Sequence, residues 1–156
     1  MFDVLKTLEC DKYNSSYIRN LSVSLTNAQM NVDFNLIRPL VPEVRSNMEF
    51  YNRKENSKAY QKFYKYSIDA CSIMRNLRSS IFKRWFSTLF AHGNFRPDCP
   101  VPPNHYYVKN YNIKDLHIPS FLIPGFYRFA FNIFQLKNEG KHNDFLISCS
   151  IEIKMK

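Results

Sequence analysis

Apolar and polar residues alternate along most of this chain, and the alternation changes period once. Leu21, Val23 and Leu25 alternate with Ser22 and Ser24, while Met30, Val32, Phe34 and Leu36 alternate with Asn31, Asp33 and Asn35. Phe2, Val4, Leu8 and Cys10 share that period of two, broken by Lys6. Successive side chains of a strand point to opposite faces, so each run predicts a strand with one buried face. Arg38-Pro39-Leu40-Val41-Pro42 then interrupts or bends the sheet, because proline donates no ladder hydrogen bond. Strands resume at Met48-Glu49-Phe50-Tyr51 and Phe63-Tyr64-Lys65-Tyr66, either side of a polar turn over 52–57. Further strands are predicted near 106–109 and along Tyr127, Phe129, Phe131 and Ile133. After a turn at Asn138-Glu139-Gly140-Lys141, the cleanest alternation runs through Phe145, Ile147, Cys149, Ile151 and Ile153, with Leu146, Ser148 and Ser150 in the opposite phase.

From Cys71 to Leu89 the period becomes helical. Met74, Leu77, Ile81, Trp85 and Leu89 recur at spacings of three and four, which makes one apolar helix face widened by Phe82 and Phe86. Asp69 is placed to cap the first turn by accepting from its free backbone N–H groups. Gly93 is the expected stop, and Pro97, Pro100, Pro102 and Pro103 mark a loop in which Asp98 reads as a turn residue. Residues 119–124 form an apolar loop. Several short strands separated by turns predict a mainly β, antiparallel sandwich, a single domain over 2–154, with a helical segment near 71–90 lying as a lid over its interior.

Composition narrows the classes. An aromatic content of 16% excludes a disordered chain, and 3 glycines disfavour a glycine-rich phosphate loop. No apolar run approaches the roughly 18–20 residues of a membrane-spanning helix. The net charge of +9 admits acidic partners, anionic headgroups or nucleic acid. Its densest patch, Arg75, Arg78, Lys83 and Arg84, alternates with apolar residues and reads as a solvated helix face.

The 4 cysteines, Cys10, Cys71, Cys99 and Cys149, contain no C-x-x-C pair. Zinc-ribbon and thioredoxin-like readings therefore lack support, and disulfides in an oxidising compartment fit better. Four cysteines allow three connectivities. Strand phase at the chain ends and a staple across the helical segment favour Cys10 with Cys149 and Cys71 with Cys99. Two glycosylation sequons agree with an extracellular setting, Asn14-Ser15-Ser16 and Asn20-Leu21-Ser22. The chain opens Met1-Phe2-Asp3-Val4, without a basic segment followed by an apolar one, so the expectation is a secretory leader outside this sequence. The alternative is a cytosolic protein with free buried thiols.

Catalytic constellations are missing from the sequence. His92, His105, His117 and His142 are dispersed, with no H-E-x-x-H, and no G-x-S-x-G elbow occurs. The expectation is a non-catalytic protein without a cofactor or metal. Large apolar side chains are instead in excess. Phe82, Trp85, Phe86, Phe121, Leu122, Phe129 and Phe131 would line a cavity if the sheets splay, with Lys83, Arg84 or Arg128 at the rim holding a carboxylate or phosphate headgroup. The bland alternative has the same side chains filling the core, leaving a structural or protein-interaction sandwich whose surface, for instance the 119–124 loop, does the work. A third reading stacks nucleic-acid bases on Lys83-Arg84-Trp85-Phe86. The sequons and the cysteine pattern argue against it.

Four elements together, Glu9-Cys10-Asp11-Lys12-Tyr13, Tyr66-Ser67-Ile68-Asp69-Ala70-Cys71, Gly93-Asn94-Phe95 through Cys99-Pro100, and Pro124-Gly125-Phe126-Tyr127-Arg128, resemble a large insect family of unknown function. That family is similar to the ML lipid-recognition superfamily and the ganglioside activator proteins. The resemblance implies a secreted, immunoglobulin-like (ML-type) β-sandwich in which Cys10 pairs with Cys149 and Cys71 with Cys99. It further implies a hydrophobic or lipid-like small molecule as partner, with a possible membrane receptor and a possible chemosensory role. The chain departs from the family in lacking a further cysteine soon after the first and in carrying Gly125-Phe126-Tyr127 where Gly-Asp-Tyr is usual.

Overall fold

The alternating runs become strands in the computed structural model, which describes residues 2–75, 88–96, 99–116, 122–137 and 142–156. These are β1 (Phe2–Tyr13), β2 (Ile18–Thr26), β3 (Gln29–Leu36), β4 (Val44–Arg53), β5 (Gln61–Asp69), β6 (Asn104–Asn112), β7 (Gly125–Lys137) and β8 (His142–Met155). They form two antiparallel sheets, a larger one in the order β1-β8-β7-β4-β5 and a smaller one in the order β2-β3-β6. The architecture is the mainly β, immunoglobulin-like sandwich that the alternation predicts.

The interior holds two apolar clusters, each built from both sheets. One gathers Phe2, Met30, Tyr111, Ile113, Tyr127 and Ile153, and the other Tyr17, Ile18, Leu36, Val101, Tyr106 and Leu146. Burying each such side chain is worth roughly 1.5–3 kcal/mol, which is what holds the sheets face to face. Between β2 and β3 the chain turns through Asn27 (φ 52°) and Ala28 (φ 64°). Two successive positive-φ residues give the twist that a tight hairpin needs.

The last strand departs from its expected phase. The register runs Ile133 opposite Ile147 and then Phe134 opposite Phe145, so Leu146 is one residue extra. This bulge turns Leu146 into the second cluster, at 2% exposure, and swings Phe145 out to pack on Phe134, ring centres 5.8 Å apart. The disturbed carbonyls find donors in Asn14, whose N–H reaches Leu146 O at 2.8 Å and whose Nδ2 reaches Phe145 O at 3.0 Å.

After β5 the chain enters helix α1 (Ala70–Arg75). Asp69 caps it as expected, accepting the Ser72 N–H at 3.1 Å. Residues 76–87 lie outside the described part, and with them Leu77, Arg78, Ile81, Phe82, Lys83, Arg84, Trp85 and Phe86; a further helical turn is described at 88–91. The cysteines pair as Cys10–Cys149 and Cys71–Cys99. The first bond joins β1 to its sheet neighbour β8, with Cα atoms 4.0 Å apart. The second ties the start of α1 to the loop before β6 across 28 residues, Cα atoms 5.8 Å apart.

Candidate ligand-binding face

The two clusters draw their larger-sheet residues from β1, β8 and β7; neither includes a residue of β4 or β5. The side of β4 and β5 that faces the sandwich interior is read from register. Phe129 of β7 stands opposite Phe50 of β4, and Phe50 opposite Tyr64 of β5. Phe129 packs against the first cluster, so Phe50 and Tyr64 lie on that same interior-facing side. Their rings form a continuous row. Phe50 lies 5.3 Å from Phe129 and 5.7 Å from Tyr64, Tyr64 stacks on Tyr66 at 6.3 Å, and Tyr127 stacks on Phe129 at 6.3 Å. Phe63, the extra residue at a register slip in β5, adds contacts to Phe50 at 6.4 Å and Tyr127 at 6.1 Å.

This face is closed at one end and open at the other. Val44, Ser46, Ile68 and Cys71, beside the start of α1, are all buried. Phe63, Tyr64 and Tyr66 are 42%, 51% and 39% exposed. Large aromatics leave water readily, at roughly 25 cal/mol per Å² buried, so an exposed row continuous with the core is a surface suited to an apolar guest.

The sequence-predicted lining residues divide three ways. Phe129 stands in the aromatic row, and Phe131, half-buried, sits opposite Met48 one step along the same side. Leu122, also half-buried, packs against the first cluster, as Phe129 does. Phe82, Trp85, Phe86 and Phe121 lie outside the described residues. Phe50, Phe63, Tyr64 and Tyr66 are not among the predicted lining residues; alternation about Lys65 puts Tyr64 and Tyr66 on one face of their strand, while the pairing with Phe50 and the slip at Phe63 come from register.

Arg128 does not rim this face. It stands opposite Tyr51 in the other phase of β7, on the outer side of the sheet, its guanidinium 5.6 Å from the Tyr51 ring. Strand phase is the reason, since Arg128 immediately precedes Phe129 and so points to the opposite side. The same outer side carries Lys62, 3.2 Å from Glu49, and Arg53, 4.0 Å from the Phe126 ring. The Tyr51 hydroxyl donates to Glu49 and, with Lys62, holds that carboxyl below its ordinary range; the same bond raises the Tyr51 phenol. Phe126 is flanked by Arg53 and by Lys154 at 5.4 Å, so its ring meets two cations.

A separate cleft of about 270 Å³ opens between β1 and the β2–β3 turn. Phe2, Val4, Leu25, Ala28 and Ile113 form its floor, and Asp3, Thr7 and Lys114 stand around it. It falls below the roughly 300–1,000 Å³ of typical small-molecule sites. Asp3 is already tied to Lys156 at 2.8 Å, which lowers its pKa. Among the described residues no group of three or more His, Cys, Asp or Glu side chains is placed to hold a metal.

The motif residues have structural work. Gly93 bridges to Val108 of β6, where an added Cβ would lie 2.0 Å from Tyr107 O, so only glycine permits the approach. Asn94 then clamps β6 from both ends of its amide, donating to His105 O at 2.7 Å and accepting from Tyr107 N at 2.8 Å. Phe95 packs on Tyr106 at 5.4 Å. Tyr106 and Tyr127, at the starts of β6 and β7, each donate to a carbonyl four residues upstream, Pro102 O at 2.5 Å and Ile123 O at 2.7 Å. Such tyrosine corners are hallmarks of Greek-key sandwiches.

Residues 46–129, from β4 to the aromatic row of β7, match the family described as protein of unknown function (DUF1091). The chain belongs to that family. No curated protein matches it. The DUF1091 span contains Cys71–Cys99, both tyrosine corners, the Gly93-Asn94-Phe95 clamp and the whole of β5. The other disulfide, Cys10–Cys149, closes the sandwich outside it.

Proposed function

We propose that this DUF1091 protein is a non-catalytic, extracellular binding domain for a hydrophobic or lipid-like small molecule, related to the ML lipid-recognition proteins. One observation carries the reading. A row of aromatic side chains leads out of the core, from Tyr127 of the first cluster through Phe129 to Phe50, Tyr64 and Tyr66, which belong to neither cluster, and ends in exposed rings. An acyl chain, terpenoid or sterol laid along it would shed water from both partners, while the disulfides hold the sheets that frame it. Two disulfides and the lack of a membrane-spanning helix among the described residues are compatible with secretion. An insect source and a chemosensory role, with a membrane receptor as downstream partner, extend the same proposal.

Native mass spectrometry of the protein secreted from insect cells, followed by organic extraction, tests it. A hydrophobic molecule near one-to-one stoichiometry is expected. Intact disulfides with no bound mass and no uptake of a fatty-acid probe would reject the carrier role. A second reading, an interaction domain with no ligand, is favoured by Ile123, which is 71% exposed beside the buried Tyr127 corner. It predicts that Ile123→Ser abolishes capture of a protein partner and leaves probe uptake unchanged.

A further inference from the structure

We infer that Asn20 carries an N-linked glycan and that Asn14, although it lies in an equally good sequon, does not. The inference rests on the extracellular reading. Both acceptors have serine two residues on, at Ser16 and Ser22. Their surroundings differ. The Asn14 side chain is half-buried and used at both ends, its Nδ2 donating to Phe145 O at 3.0 Å and its Oδ1 accepting the Ser16 N–H at 2.9 Å. Its main chain is equally committed, accepting from Tyr17 and Ile18 and donating to Leu146 O. A sugar on that nitrogen would stand at the bulge that turns Leu146 into the core. Asn20 is exposed and left-handed (φ 55°), in β2 at the register slip between Arg19 and Ser22, where the ladder to β3 is already interrupted. A bulky substituent there displaces no sheet hydrogen bond.

The chemistry is ordinary transfer from a lipid-linked oligosaccharide pyrophosphate. The Asn20 Nδ2–C1 bond forms, the bond from C1 to the pyrophosphate oxygen breaks, lipid pyrophosphate leaves, and Nδ2 gives up one proton. The consequence is spatial. β2 ends the smaller sheet, and an uncovered edge strand invites pairing with other chains. β2 also lies against β1, at the opposite edge of the larger sheet from β5. A glycan on Asn20 therefore shields one flank and leaves the aromatic face of β4 and β5 clear.

The test expresses the full chain behind a supplied secretion leader in eukaryotic cells, as wild type and as Ser16→Ala and Ser22→Ala. Each variant removes one sequon without removing its asparagine, so the Asn14 hydrogen bonds survive. Peptide N-glycosidase treatment in heavy-oxygen water, read by peptide mass on medium and on total cell protein, locates the sugar. One glycan is expected, on Asn20, retained in Ser16→Ala and lost in Ser22→Ala. An unmodified Asn20, or a glycan on Asn14 in the wild type, overturns the inference. Because the leader forces entry, that result concerns the site alone. The extracellular reading fails separately, if the protein from its natural source carries reduced thiols.

Discussion

Single hydroxyls and single backbone angles hold this sandwich at identifiable points. Tyr127 is 4% exposed and its hydroxyl is satisfied by Ile123 O. Tyr127→Phe keeps the ring and removes the bond, so the expected cost is about 1–2 kcal/mol, read as a lower urea midpoint at unchanged slope. Tyr106→Phe should behave alike through Pro102 O. Ala28 stands at φ 64° in the β2–β3 turn, where an L side chain costs roughly 1–2 kcal/mol. Ala28→Gly removes that strain against a smaller loss of about 0.4–1 kcal/mol from a freer unfolded chain. A stabilisation of several tenths to about 1 kcal/mol is expected in the same urea titration. Gly93→Ala should do the reverse, because its methyl meets Tyr107 O and the bridge to Val108 must open.

At the scale of elements, the strands were legible because period two is a local property. Leu21, Val23 and Leu25 alternate in burial with Ser22 and Ser24 as the pattern requires. The Leu146 bulge was not legible, since it depends on Asn14 reaching across 131 residues to satisfy Phe145 O. The α1 cap was legible because Asp69 and Ser72 lie within one turn. The loop between Cys71 and Cys99 is constrained by its disulfide, and the joint Cys71→Ser and Cys99→Ser variant should lose roughly 3–4 kcal/mol in the chain-entropy account. Thermal unfolding by circular dichroism checks that value. A larger loss would mean that α1 itself needs the staple to form.

For the whole molecule, the charge pattern sets the acid limb of stability. The folded protein lowers the pKa of Glu49 through Tyr51 and Lys62, and that of Asp144 through Lys137 and Tyr17. Carboxyls depressed in the folded state bind fewer protons than in the unfolded chain, so their stabilisation is present above their ordinary values, 4.5 and 3.8, and is lost as pH falls through the folded ones. Stability should therefore drop below about pH 4.5, and Glu49→Gln should flatten the upper part of that drop in urea midpoints taken from pH 6 to pH 3. The candidate site was only partly legible at this scale. Period two places Tyr64 and Tyr66 on one side of β5, but the register that brings Phe50 and Phe129 to that side, and the cover given by five strands facing three, are encoded by no local pattern. Arg128 shows the converse, since its phase alone excludes it from that side.

The most direct measurement is a titration of a fluorescent fatty-acid probe into disulfide-intact wild type and into Tyr64→Ala. Tyr64 is 51% exposed, so its loss should leave the melting temperature nearly unchanged. Saturable one-to-one uptake by the wild type, weakened about tenfold or more in Tyr64→Ala, is the predicted result. No uptake by the folded wild type, or equal uptake by both proteins, would contradict a ligand on the aromatic face of β4 and β5.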